Sequence, residues 1–398
     1  MIEQMKPSGV DYLGDIPATW TAKRFKYCAQ ICNGGEYADI EIDEGGYPVI
    51  GSGGEFARAS KFCYQGESVL LGRKGTIDKP LYVNNAFWCV DTMFYTKAKL
   101  NMIPKFLYYC ALCFRFDYYV TSTALPSMTQ KDLGSEIIAV PPTEEQKQIA
   151  MFLDSQCSKL DGIIADLEKQ IDTLQKYKKS LITETVTKGL DKSVPMKDSG
   201  IEWIGQIPEH WSVKRLKYVM NNFDSQRKPI EAQNRSQEGD VLYDYYGASG
   251  VIDKIDEYIF DETALLIGED GANLVLRNLP LIYIAHGKYW VNNHAHILRP
   301  KKDSDLYYMA HQMEIIDYSL FITGSAQPKL SQENLNNVIL VVPPLSEQKT
   351  MAEYLNEKIS NIDSIIQDKK KQLTIVQGHK KSLIYEYVTG KKRVTEVK

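Results

Sequence analysis

No apolar run in this chain approaches the roughly 20 residues needed to cross a bilayer, and the opening Met1-Ile-Glu-Gln-Met-Lys has no signal-peptide core. The expectation is a soluble, cytoplasmic protein with no membrane partner. Cysteine is scarce and lopsided, with seven residues and none beyond Cys157. An odd count without framework spacing excludes a disulfide-built fold and suits a reducing compartment. Cys28/Cys32 and Cys110/Cys113 have the outline of a four-sulfur zinc site. In the internal repeat described below, however, those positions hold Val219, Phe223, Met309 and Gln312, so the four are read as core cysteines. Excess positive charge is lacking too, the net charge being −4. That total counts against a nucleic-acid binder, but it does not exclude a local basic face or phosphate contacts supplied by partner subunits.

Signatures of catalysis are also missing. An amino-methyltransferase site needs a polar Asn or Asp before Pro-Pro and an aromatic after it. Here Pro141-Pro142 and Pro343-Pro344 each follow a valine, and each precedes Thr143 or Leu345. Glu145-Gln146-Lys147 and Glu347-Gln348-Lys349 resemble half of a nuclease site, but they follow Pro-Pro at the start of a helix, where capping explains them. Gly51-Ser52-Gly53-Gly54 lacks the strand and helix context of a cofactor loop and is read as a turn. His294-Ala295-His296 has no third ligand nearby in sequence and is read as two polar residues on one strand face. No catalytic, cofactor-binding or metal-binding residue is predicted.

A tandem duplication is present. Ser8-Gly9 through Gly14-Asp15-Ile16-Pro17, Trp20 and Lys23-Arg24 return as Ser199-Gly200 through Gly205-Gln206-Ile207-Pro208, Trp211 and Lys214-Arg215. The period is far too long for a solenoid, so each copy is a domain of its own. Each copy closes on Val-Pro-Pro followed by Glu-Gln-Lys, and a heptad pattern then begins. In the first copy Leu153, Leu160, Leu167, Leu174 and Leu181 recur every seven residues, with Ala150, Cys157, Ile164 and Ile171 at the companion positions and Lys178 interrupting. In the second, Ala352, Leu355, Ile359, Ile362, Ile366, Leu373, Val376 and Leu383 make the seam and Lys369 interrupts it. Helices are predicted over about 143–188 and 346–389, with Thr143 and Gln146 as a capping box and Gly189 and Gly390 as C′ residues. The predicted divisions are 1–141, 142–190, 191–342 and 343–398. The fold class is α+β: two globular domains related by an approximate two-fold and separated by two long antiparallel coiled-coil helices.

Between these fixed edges the copies diverge. Short strands are expected at Tyr47, Ser68 and Ala86 in one and at Val241, Ala264 and Tyr289 in the other, with helical patches at Lys105 to Tyr119 and Leu306 to Leu320. Gly72-Arg73-Lys74-Gly75 faces Gly268-Glu269-Asp270-Gly271, so the glycine frame is kept while the charge reverses. One frame carrying different tip residues suits two readers of different ligands.

Two variable domains, each opened by Ser-Gly-x-x-x-x-Gly-x-Ile-Pro-x-x-Trp and closed by Pro-Pro-x-x-x-Gln-Lys with a long helix, closely resemble the specificity subunit of type I restriction-modification systems. The resemblance covers essentially the whole chain. It implies target recognition domains at 30–140 and 221–342 and two methyltransferase subunits docking on the helices. It also implies restriction subunits joining the complex and double-stranded DNA as the ligand. S-adenosylmethionine, ATP and magnesium then belong to those partners, and this chain is not an enzyme. The unlike interiors predict a bipartite, asymmetric target whose halves lie about one turn of B-DNA apart, near 34 Å. Expected DNA contacts are Arg73, Lys74 and Ser122 in the first domain and Tyr245, Tyr246, Asn273, Gln327 and Lys329 in the second. The alternatives are a free-standing methylase or nuclease on duplicated domains, which cofactor binding by the isolated chain would favour, and a coiled-coil assembly scaffold without a DNA role.

Overall fold

The structure is a computed structural model that describes residues 4–119, 126–270, 273–324 and 328–394. Two compact units divide the chain: residues 1–168 with 370–398, and residues 169–369. The long helices Thr143–Lys188 and Leu345–Val388 start and stop within a residue of their predicted bounds, and each is shared between the units. Within unit 1 the helices run antiparallel, since the Phe152 ring packs at a tilt against Tyr387 with centroids 4.5 Å apart and Asp161 meets Lys380 at 2.5 Å. Within unit 2 Lys178 meets Asp363 at 2.7 Å in the same sense. Lys178 therefore breaks the apolar seam with an interhelical ion pair.

Each unit has the same plan. In unit 1 an antiparallel sheet runs Leu81–Val83, Ser68–Gly72, Met93–Ala98, Ala29–Asn33 in spatial order. A second sheet runs Glu41–Ile42, Gly54–Ala59, Tyr47–Gly51, Ala86–Cys89, Tyr64–Gln65. In unit 2 the first sheet is Ile282–Ala285, Ala264–Gly268, Ala295–Pro300, Met220–Asn222, and the second is Gly250–Ile255, Tyr243–Gly247, Lys288–Val291, Phe260–Asp261. Both second sheets contain one parallel pair, Val49 opposite Trp88 and Tyr245 opposite Trp290. The predicted helical patches appear as Pro104–Ala111 with Phe116–Tyr119, and as Leu306–Ile315 followed by a short 3-10 turn. All seven cysteines fall in unit 1.

The duplicated motifs have local physical causes. In Ser-Gly-x-x-x-x-Gly both glycines are left-handed in both copies: Gly9 (φ 74), Gly14 (φ 58), Gly200 (φ 73) and Gly205 (φ 68). They turn the strand Met5–Pro7 back onto Asp15–Pro17, and Met196–Asp198 back onto Gln206–Pro208. The tryptophans that follow are buried, as expected of core anchors, at 0% and 1% exposure. Trp20 donates its indole N–H to Glu145 at 3.0 Å and Trp211 donates to Glu347 at 2.9 Å, so the Glu of each Glu-Gln-Lys is a tryptophan acceptor. The end of the other long helix closes on the same ring. A Cβ at Gly390 would lie 2.4 Å from Pro17 Cδ and 3.2 Å from Trp20, and one at Gly189 would lie 3.1 Å from Trp211. Both glycines have positive φ, as predicted for C′ residues.

The capping box predicted for Thr143 and Gln146 is not formed. Thr143 is already helical, Pro142 before it has no side-chain acceptor, and Gln146 is buried and bonded elsewhere. Its Oε1 accepts the Ile103 N–H at 3.0 Å, while Nε2 donates to Pro141 O at 3.0 Å and Asn101 O at 3.1 Å. Gln348 repeats this with the Asp305 N–H at 2.8 Å, Pro343 O at 2.8 Å and Asp303 O at 3.2 Å. The glutamine thus ties each helix start to the loop ahead of Pro104 or Leu306. Gln146→Ala and Gln348→Ala should each cost about 1–3 kcal/mol, because a buried backbone N–H loses its acceptor. Urea unfolding measures this, and midpoints equal to the parent's would remove the tie from the account.

Candidate nucleic-acid interface

In unit 1 three turns converge. The strands Tyr47–Gly51 and Gly54–Ala59 meet at a glycine turn, where Gly54 has φ 102 and the Cβ positions of Gly53 and Gly54 face open space. Beside it lies the Asp91-Thr92 turn. The Thr92 carbonyl accepts the N–H groups of Arg73 and Lys74 at 2.9 and 3.2 Å, which fixes the third turn. The segment after residue 125 lies on that third turn, with Gly75 N–H donating to Pro126 O and Met128 N–H to Arg73 O, both at 2.9 Å. A cleft of about 450 Å³ opens between the first two turns, lined by Tyr37, Ser52, Phe56, Asp91 and Thr92 among others. Phe56 is 56% exposed with Tyr37 edge-on at 5.4 Å, so an apolar ring face stands beside hydroxyl and carboxylate acceptors. Such a surface has the chemistry to stack on a base and read its edge.

Unit 2 keeps the frame and changes its contents. Glu269 N–H donates to His294 O at 2.8 Å and Leu330 N–H to Glu269 O at 2.7 Å, matching the bonds of Arg73 and Met128. The glycine turn is crowded here. A Cβ at Gly247 would meet Ile252 at 2.7 Å and Asn292 at 3.2 Å, and one at Gly250 would meet the Tyr283 ring at 2.6 Å. The Glu269 carboxylate turns inward, 2.5 Å from Arg227 and 3.0 Å from Lys329 Nζ. Burial raises its pKa, but hydrogen bonds from Arg227 and Lys329 and the nearby His296 outweigh burial and hold it below the ordinary carboxylate range.

The predicted contacts divide accordingly. Arg73 and Lys74 sit together on the third turn of unit 1. Lys74 is exposed, while Arg73 is half-buried, donating to Asp91 O at 3.1 Å with its guanidinium 5.8 Å from the centroid of the Phe94 ring. Lys329 is exposed, and its backbone pairs antiparallel with Asp270 on the equivalent turn of unit 2. Tyr245 is corrected to a core residue. It has 0% exposure on a strand flanked on both sides, its hydroxyl accepts the Ile230 N–H at 3.0 Å, and Arg235 covers its ring at 4.4 Å. Tyr246 is 9% exposed and packs edge-on against Tyr289, leaving little of it for a ligand. Asn273 closes its own loop, donating to Leu279 O and Pro280 O at 3.2 Å and accepting the Leu279 N–H at 2.9 Å. Its amide is therefore committed and does not stand ready for adenine. Ser122 and Gln327 lie outside the described residues.

The cleft lining of Phe56, Asp91 and Thr92 in unit 1 was not singled out from the sequence, and in unit 2 His294 and His296 do not share a strand face, since His294 precedes the strand Ala295–Pro300 and His296 is buried. The signal for His296 and its partners was the charge reversal between the two glycine frames. No signal marked Asp91, whose place in the cleft depends on strands far apart in sequence. Among the described residues no group of three or more His, Cys, Asp or Glu is placed to hold a metal ion, and no helix is long and apolar enough to cross a membrane.

A family model described as "Type I restriction modification DNA specificity domain" matches the chain twice, over residues 17–173 and 208–374. The chain is 27% identical over 428 residues to the type I restriction enzyme MjaVIII specificity subunit of Methanocaldococcus jannaschii, covering 95% of this chain and 94% of that one. It is 29% identical over 279 residues to the putative type I restriction enzyme MjaX specificity subunit of the same organism, covering 67% and 62%. Its fold is similar, with a TM-score of 0.67 and 13% identity over 95% of this chain and 99% of the other, to a solved chain described under "Structural basis underlying complex assembly and conformational transition of the type I R-M system". Two matches to one family model, one on each copy of the duplication, show that this chain belongs to the type I restriction modification DNA specificity family.

Proposed function

We propose that the chain reads a bipartite, asymmetric DNA sequence, one half with each unit, and docks the methyltransferase and restriction subunits that act on it. Catalysis then belongs to those partners, which carry S-adenosylmethionine, ATP and magnesium, while this chain supplies recognition. The observation that carries the reading is one backbone frame with two sets of contents. Unit 1 presents an open cleft beside Arg73 and Lys74, and unit 2 presents a filled turn beside an inward carboxylate and Lys329. Unlike surfaces on like frames are what two unlike half-sites require.

Mapping methylated adenines in DNA from cells with and without this chain tests the proposal. A defined two-part sequence methylated only when the chain is present is the expected result, and no sequence preference would sink it. Within that assay Arg73→Ala should cost about 1–3 kcal/mol of discrimination in one half of the target. Lys74→Ala should weaken binding evenly across sequences, as loss of a phosphate contact does. An Arg73→Ala protein with unchanged target and affinity would take Arg73 off the interface.

A further inference from the structure

Unit 2 holds a set of buried charges that unit 1 lacks. His296 is 1% exposed, and both of its ring nitrogens face acceptors. Nδ1 lies 2.5 Å from Asp224 Oδ2 and Nε2 lies 2.7 Å from the Leu330 carbonyl. The ring is thus held at both nitrogens, by a carboxylate on one side and a backbone carbonyl on the other. The second Asp224 oxygen accepts the Ile297 N–H at 2.9 Å, and Asn222 donates to Oδ2 at 3.0 Å. Burial raises the Asp224 pKa, but the hydrogen bond and charge of His296, with the Ile297 and Asn222 bonds, outweigh burial and lower it below the usual range. Glu269 lies 4.0 Å from His296 and joins Arg227 and Lys329 to the set.

Strand register gives the counterparts. Pro300 opposite Met220 answers to Ala98 opposite Ala29, which places Phe94 where His296 stands and Asn33 where Asp224 stands. The Leu71–Phe94 and Ile267–His296 pairs agree with this alignment. In unit 1 the cation Arg73 lies over the Phe94 ring; in unit 2 the anion Glu269 lies 4.0 Å from the His296 ring. The fold therefore stands without these ions, and buried ion pairs add little net stability over apolar groups of like shape. What the ions do in unit 2 is hold Leu330 by its carbonyl and Lys329 by its ammonium.

We propose that the cluster of His296, Asp224, Glu269 and Arg227 fixes how the Lys329–Leu330 strand and the Glu269-Asp270 turn meet DNA, which makes His296 a positioning residue for the half-site read by unit 2. The proposal rests on the reading of this chain as a DNA reader. The test uses the full chain in complex with its methyltransferase subunits, comparing the parent with Asp224→Asn/His296→Phe. That double variant installs the neutral pair of unit 1 and strands no charge. Methylation is timed on target duplexes altered at one base pair in one half at a time. The expected result is a loss of roughly 10-fold or more in discrimination at the second half, with the first half unchanged. Glu269→Gln, which opens no cavity, should show the same one-sided loss. Parental discrimination in both variants, or equal loss at both halves, would overturn the proposal. A parent complex that prefers no sequence would instead sink the DNA-reading conclusion beneath it, so the two failures are distinguishable.

Discussion

Trp20→Ala is expected to destabilise unit 1 by about 3–5 kcal/mol, and Trp211→Ala unit 2 by as much, the ordinary cost of emptying a buried tryptophan site. The sites have little room to collapse. Trp20 is fully buried among Phe25, Phe106, Leu133, Ile149 and Val388, with Gly390 pressed on its edge. Trp211 lies similarly among Leu216, Tyr308, Val186 and Met351, with Gly189 against it. Removal of the ring also strips the indole N–H from Glu145 or Glu347. Glu145 already has a carboxyl raised by burial, against which the Trp20 bond acts. Because each tryptophan joins the start of one long helix to the end of the other, the loss should reach helix ends distant in sequence. Urea unfolding of either variant should split into two steps, and two-unit behaviour of this kind is not described by a single unfolding free energy. Hydrogen exchange should place the early step in 1–168 with 370–398 for Trp20→Ala, and in 169–369 for Trp211→Ala. A single cooperative transition at the parental midpoint would show that neither ring holds its helix ends.

The second large effect concerns exchange of residues 22–140 for those of a relative. The strand Thr21–Arg24 pairs with Ile137–Val140, Ala22 lying opposite Ala139 and Thr21 opposite Val140. The two cut points are thus neighbours in one ladder, and everything between them leaves and returns through a single doorway in unit 1. One half of the recognised sequence should be replaced outright. Several wrong base pairs at about 1–3 kcal/mol each amount to loss of the old half-site. The other half should remain as it was. Methylation maps of the exchanged protein check this, and simultaneous change of both halves would show that the units do not read independently.

Much of this architecture was legible because its causes are local. Heptads gave the long helices, and Pro-Pro with Gly189 and Gly390 gave their ends. The duplicated Ser-Gly and Trp segments gave the two-unit plan. The strand Gly54–Ala59 was not legible, since Gly-Glu-Phe-Ala-Arg-Ala lacks a clean alternation of apolar and polar residues and buries only Ala59 fully. Tyr245 was misread because an aromatic run beside a glycine turn looks the same whether its strand is at an edge or in the middle of a sheet. Gln146 was misread because capping is a local pattern, whereas its partners, residues 101–103, arrive from an earlier loop. The candidate interface suffered most. Arg73 and Lys74 stand on the converging turns, but the Asp91-Thr92 turn and the His296 cluster come together only through strand register.

The confinement of every cysteine to unit 1 has a practical consequence. Burial pushes the thiols of Cys28, Cys63 and Cys157 up, so they react slowly with electrophiles while the fold holds. A maleimide that waits for an opening event therefore reports on one half of the molecule and is blind to the other. Labelling of the buried Cys28 and Cys157 becomes a clock for the local breathing of unit 1, with unit 2 as the silent control.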